Sequence, residues 1–204
     1  MRQVTGSKSS PRKFRVSIQQ SLDGHSFSRP GLDDCQPSEE TVEVELLLPK
    51  TMLVPEAICR EELAAELLAA NGMPARSDES IVICPAGEGV KALAAFDDQL
   101  RRQILEKFPG ARFSTPLAHR PDETTRCVWV CRRESLLYAK VYRDGALQLA
   151  EVIPAAEEAE IGYFIERLAS CFPLAEYELR IAGDEPKKLR KWFGNAFKKV
   201  LCES

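Results

Sequence analysis

Two arginines stand side by side at positions 132 and 133, in the turn Arg132-Arg133-Glu134-Ser135 between two apolar runs. Each guanidinium presents a planar fork of donors, so the pair has the chemistry to hold a phosphate or an acidic partner. The turn has no glycine, the residue that lets backbone N–H groups approach phosphate oxygens closely. The alternative is a solvated hairpin tip with an internal Arg-Glu pair. A denser set of cations follows Pro186, where Lys187, Lys188, Arg190, Lys191, Lys198 and Lys199 occur with no acid before Leu201. On a helix, that face would suit RNA phosphates, anionic lipid or an acidic protein surface, or would simply be solvated and balance the acidic helix upstream.

Other chemistry is sparse. Cys127 and Cys131 share one face of an expected strand with Trp129 between them, but zinc would need further ligands and only His25 and His119 are imidazoles. Buried thiols packing as small apolar groups fit better. His119 has no recognisable nucleophile beside it, and Glu157, Glu158 and Glu160 suit the N-terminus of a helix, where the dipole favours negative charge. No Gly-x-x-x-x-Gly-Lys-Ser/Thr, Gly-x-Gly-x-x-Gly, His-Glu-x-x-His or Gly-x-Ser-x-Gly motif occurs. With 28 basic and 31 acidic residues the net charge is -3, which argues against a protein held on nucleic acid by overall charge. No DNA-binding signature and no apolar run near the ~20 residues of a membrane span is found. Seven cysteines, odd in number and without a C-x-x-C pair, fit a reduced, cytoplasmic protein.

These residues need strands and helices to position them. Phe14, Val16 and Ile18 alternate with polar residues, Asp23-Gly24 suits a tight hairpin, and Val42, Val44, Leu46 and Leu48 give a third strand with one apolar face. Residues 52–55 read as an extended connector, 61–70 as a helix, and 80–84 and 90–96 as strands, the second of which could also be helical. Asp97 or Asp98 caps a helix carrying Leu100, Ile104, Leu105 and Phe108, and 111–114 is a short strand. Beyond the polar stretch 116–126, Cys127 to Cys131 is apolar on both faces, as in a central strand covered twice over. Two more strands follow, then a helix burying Ile161, Phe164, Ile165, Leu168 and Phe172. A strand at 177–182 ends in a Gly183-Asp184 turn and cap, and Pro186 opens a final helix with Leu189, Trp192, Phe193, Ala196 and Val200 on one face.

The second part of the chain therefore reads strand-strand-strand-helix-strand-helix, and the first reads in nearly the same order with an added hairpin between its helices, a repeat of order only. Val16-Ser17-Ile18 leading to Asp23-Gly24-His25-Ser26-Phe27-Ser28, Leu53-Val54-Pro55-Glu56, Glu106-Lys107-Phe108-Pro109-Gly110-Ala111-Arg112-Phe113 and the meander over 128–149 carry a resemblance. The chain resembles a bacterial family of unknown function with a reduced actin-like fold, related in shape to actin-like assembly proteins of type IV pilus and type II secretion machines. The resemblance implies an α/β protein of two ribonuclease-H-like halves, the actin-like ATPase fold, with mixed sheets and a βββαβα order. Its divisions would be a flexible leader (1–12), one half (13–115), a linker (116–126) and a second half (127–204).

ATPases of that fold place an aspartate and small residues in the first turn of each half, so that backbone N–H groups and Mg²⁺ meet the phosphates. Here only Asp23 could recruit Mg²⁺ in the first turn, and its neighbouring glycine already explains it as a turn residue. In the second half the equivalent turn holds Arg132 and Arg133, and Gly183-Asp184 keeps a vestige of the adenosine-side glycine turn. The leading expectation is a non-catalytic interaction or scaffolding domain with a degenerate nucleotide site, no cofactor, and another protein as partner. Two alternatives stay open: a nucleotide-dependent enzyme or switch in which Asp23, Arg132, Arg133 and Asp184 converge on one cleft, and RNA binding through the basic last helix.

Overall fold

The structure is a computed structural model that describes the backbone of residues 14–21 and 24–27 and, with side chains, residues 42–87, 89–122 and 124–203. Asp23 and Cys35 lie outside the described residues. Strand β1 (Phe14–Ser21) turns back antiparallel into β2 (Gly24–Phe27), the hairpin that the alternation leads one to expect, but Gly24 pairs with Ser21 as the first residue of the returning strand instead of standing in the turn. Strand β3 (Val42–Leu47) departs from expectation. It is not the third strand of a meander but runs parallel to β1, on the side away from β2, with Val44 opposite Val16. A parallel return needs a long connection, and residues 28–41 supply one.

Residues 52–55 are not a connector. Strand β4 (Thr51–Pro55) pairs with β6 (Val90–Asp97), which pairs in turn with β5 (Glu79–Pro85), giving an antiparallel three-stranded sheet in the order β4-β6-β5. Helix α1 (Ala64–Ala70) packs Ala64 and Leu68 against Val54, Leu93 and Ala95. The other side of this sheet joins Val44, Leu46, Phe96 and Ile104 in a second core. Helix α2 (Asp98–Lys107) starts where Asp97 Oδ1 accepts the Leu100 N–H at 2.7 Å, and β7 (Arg112–Ser114) then closes the sheet order β2-β1-β3-β7. Since that carboxylate satisfies a helix-end donor, Asp97→Ala is expected to lower the unfolding free energy by about 1 kcal/mol, measured by urea denaturation.

The largest sheet is built around the expected central strand. β8 (Arg126–Arg133), β9 (Leu136–Arg143) and β10 (Ala146–Pro154) form an antiparallel meander, helix α3 (Glu158–Cys171) crosses over, and β11 (Glu178–Gly183) lies parallel to β8. At the start of α3, Glu160 accepts the N–H groups of Ala156 and Glu157, which gives this acid a capping role. Helix α4 (Pro186–Phe193) leads to β12 (Lys199–Cys202), parallel to β11, and the sheet order is β10-β9-β8-β11-β12.

The last helix is thus shorter than its spacing suggests. Gly194 takes φ 58° at its C-cap, Phe197 turns into the core against Phe193, and the chain finishes as an edge strand instead of helix. Lys198 and Lys199 consequently leave the helix that carries Lys187, Lys188, Arg190 and Lys191. Val128 and Val130 face α3 and α4, while Cys127, Trp129 and Cys131 pack on the opposite side with Leu47, Leu117 and Tyr138. Both faces of β8 are buried, and the second face joins the large sheet to the first.

Candidate functional site

The period of two along β8 decides what its arginines can do. Arg132 continues the Val128–Val130 face and Arg133 continues the Cys127–Cys131 face, so neighbours in sequence point to opposite sides of the sheet. Arg132 is buried against the helical layer: Nε donates to the Ala155 carbonyl at 3.0 Å, Nη1 pairs with Glu185, and the guanidinium lies 5.6 Å from the Trp192 ring centroid. Arg133 reaches across to the first sheet, where Nε stands 3.6 Å from Glu45, and Nη1 is 3.5 Å from Asp184. The two forks cannot close on one phosphate. Nor is Arg132 a solvated side chain paired with Glu134; Glu134 and Ser135 alone make the turn, with Glu134 at φ 51°.

Gly183 and Asp184 meet this hairpin from β11. Gly183 is paired with Arg132 in register at φ 85°, and a Cβ there would fall inside the van der Waals shell of the Arg132 carbonyl oxygen and 3.0 Å from its carbon. Close packing of two strands requires the glycine. Asp184 N–H donates to the same carbonyl at 2.8 Å, and its carboxylate accepts the Glu134 backbone N–H at 2.7 Å. Asp184 therefore does not cap α4; Glu185, at φ 48°, is the N-cap residue. The hairpin N–H and the Arg133 guanidinium, two donors aimed at an anion, are met by a carboxylate of the same chain.

Beside this knot lies a cleft of about 370 Å³ between the first and largest sheets, lined by Glu45, His119, Trp129, Cys131, Arg133 and Glu203 among others. Its charge is mixed. Glu45 is buried, and the Glu203 carboxylate accepts the Trp129 indole N–H at 3.1 Å. Burial pushes the Cys131 thiol up to about 11, so it stays protonated at neutral pH and is no nucleophile. Among the described residues no cluster of His, Cys, Asp and Glu could hold a metal ion.

A neighbouring cavity of about 250 Å³ contains a group that sequence reasoning missed. Lys140, on β9, is fully buried; its Nζ donates to the Leu117 carbonyl at 3.1 Å and lies 4.7 Å from the Trp129 ring centroid. No carboxylate among the described residues lies within ion-pair distance of it, and burial drives its ammonium down to about 7. The alternation of Leu137, Ala139 and Val141 leads one to expect a single apolar face on β9, with Tyr138, Lys140 and Tyr142 toward solvent, whereas all three are buried. The two tyrosines flanking Lys140 at spacing two were the available signal. Of the remaining cations, Lys187, Arg190, Lys191, Lys198 and Lys199 line a separate open concavity of about 780 Å³, and Lys188 turns away to Glu185 and the Trp192 ring.

Three antiparallel strands continued by two parallel ones through crossing helices, faced across a cleft by a smaller mixed sheet, define the actin-like ATPase fold, and the largest sheet has the ribonuclease-H-like order. A Bacteroides thetaiotaomicron protein with actin-like ATPase fold and unknown function superposes with a TM-score of 0.72 at 17% identity, over 94% of this chain and 91% of that one. The cytoplasmic domain of EpsL, an inner membrane component of the type II secretion system of Vibrio cholerae, superposes with a TM-score of 0.43 at 12% identity, over 84% and 83% of the two chains. No protein-family model matches the chain, and no curated protein matches it. The fold expected from the sequence is the fold observed. No helix among the described residues is long and apolar enough to cross a membrane.

Proposed function

We propose that the protein is a non-catalytic actin-like domain that acts in the cytoplasm by binding another protein, its nucleotide site degenerate. One observation carries this reading: the Glu134 N–H and the Arg133 guanidinium are both engaged by Asp184, so a phosphate would first have to displace an internal carboxylate. Arg132 is committed to Glu185 and Ala155 on the other face of the sheet. A triphosphate in the cleft would also meet Glu45 and Glu203, at the cost of like-charge repulsion.

The alternative of a nucleotide-dependent enzyme or switch needs Asp23, Arg132, Arg133 and Asp184 to converge on one cleft; the opposite directions of Arg132 and Arg133 and their pairing with Glu185 and Asp184 support the first reading instead. In the reading favoured here these residues, with Gly183, hold the hairpin to β11, and no cofactor is required. Residues 13–115 and 127–204 then act as two lobes joined through 116–126. Phosphate release from ATP and Mg²⁺ by the purified chain is the test. The expected rate equals that of the buffer blank; turnover that disappears in Arg133→Ala would overturn the proposal.

A further inference from the structure

Five of the six cations between Pro186 and Leu201 are drawn into one place by the shortening of α4. Lys187, Arg190 and Lys191 lie along the helix, Gly194 ends it, and Phe197 anchors the turn. The Lys198 N–H then donates to the Tyr177 carbonyl at 3.0 Å, and β12 starts at Lys199. The result is a groove of about 780 Å³ between α4 and β12 with five cations and no carboxylate in its lining. Lys199 stands 3.7 Å from Glu178, while Lys187, Arg190, Lys191 and Lys198 make no ion pair among the described residues. Surface charge of one sign, concentrated in a concavity, raises the local concentration of an opposite charge.

A second, independent feature borders the same groove. β12 is the last strand of its sheet, bonded to β11 on one side, and no described strand pairs with its outer edge. An edge of this kind offers unpaired N–H and C=O groups to an extended chain. Nucleic acid is favoured less. Phe197, the one ring in the lining, is buried, and Trp192 is held between Arg132 and Lys188, so no stacking platform faces the groove.

We infer that the groove between α4 and the outer edge of β12 binds an extended acidic segment of a partner protein by strand addition, its carboxylates facing Lys187, Arg190, Lys191 and Lys198. This rests on the reading of the chain as a protein-binding domain and names the chemistry of the partner. Main-chain bonds to β12 would give the register, and alternate side chains of the segment would point toward the helix.

The probe is a labelled peptide of alternating glutamate and valine, titrated with the full chain by fluorescence anisotropy. Saturable binding is expected that weakens with salt and falls ~10-fold or more in the Lys187→Glu, Lys191→Glu, Lys198→Glu triple variant. These side chains are exposed, so the variant should keep the thermal melt of the parent. The same peptide with every backbone amide N-methylated keeps its charge but can donate from neither edge of a strand, and it should also bind ~10-fold or more weakly. Absence of saturable binding, equal affinity of the methylated peptide, or tighter binding of oligouridine than of the peptide would each overturn the inference. ATP turnover beside retained peptide binding would sink the non-catalytic reading and leave the groove standing; the converse pattern would do the reverse.

Discussion

Replacing Lys140 with methionine is expected to stabilise the protein by roughly 2 kcal/mol at pH 7 and to abolish a pH dependence of the parent. The lysine lies on one face of a strand that is buried on both, with the Leu117 carbonyl and two aromatic rings for company and no carboxylate partner among the described residues. Cation–π contact and one hydrogen bond offset only part of the desolvation. Burial is the largest influence and Arg120 acts in the same sense, so that together they outweigh Cys131, Cys127 and Glu203 and lower its pKa to about 7. In the unfolded chain the amine keeps its proton up to an ordinary pKa near 10.5.

Between those two values the folded state binds fewer protons, so stability rises with pH, by at most about 1.4 kcal/mol per pH unit. The buried thiols of Cys84 and Cys131, pushed up to about 12 and about 11, act in the opposite sense once pH exceeds the ordinary thiol value of 9.0. The window from about pH 7 to pH 8.5 isolates the lysine. Urea denaturation across it should show the parent gaining up to about 2 kcal/mol and the methionine variant staying level. A variant less stable than the parent at pH 7, or one that keeps the slope, would mean that Lys140 is compensated by a partner.

The second large effect is expected at Gly183. Alanine there combines an unfavourable positive φ with a methyl group driven into the Arg132 carbonyl, and backbone on both sides leaves little room to yield. Strands β8 and β11 must part at that point. The Asp184 N–H bond to Arg132 is lost, and the Asp184 carboxylate moves away from Glu134 and Arg133. We expect a loss of at least about 3 kcal/mol and a fall in Tm of about 6–12 °C. Gly72→Ala is the control, since Gly72 also has positive φ, 74°, but open space where the methyl would go; about 1 kcal/mol is expected there. Equal losses at the two positions would mean that strand contact is not what demands the glycine at 183.

Much of this was legible from local pattern. The period of two in Val42, Val44 and Leu46, the doubly apolar run Cys127 to Cys131, and the spacing of Ile161, Phe164 and Leu168 all report burial, and burial sets the elements. What local pattern does not carry is partnership. Nothing in residues 42–47 says that they pair beside β1 in parallel, because alternation is the same in either direction. Lys140 reads as a solvent-facing residue until Leu117 and the loop that carries it cover the second face of the sheet.

At the site, the opposed directions of Arg132 and Arg133 follow from strand geometry and could have been read from sequence. The engagement of Arg133 by Asp184 and Glu45 joins residues far apart in the chain and could not. The end of α4 lies between these cases. Gly194-Asn195 is a local stop signal, outweighed in a sequence reading by apolar residues that continue at helical spacing through Val200.

Calorimetric titration of the full chain with ATP in the presence of Mg²⁺ tests the central claim most directly, that Asp184 fills the place of a phosphate. A trace containing only heats of dilution is the predicted result. Saturable binding at one site in the micromolar range, lost when Arg133 is changed to alanine, would contradict it.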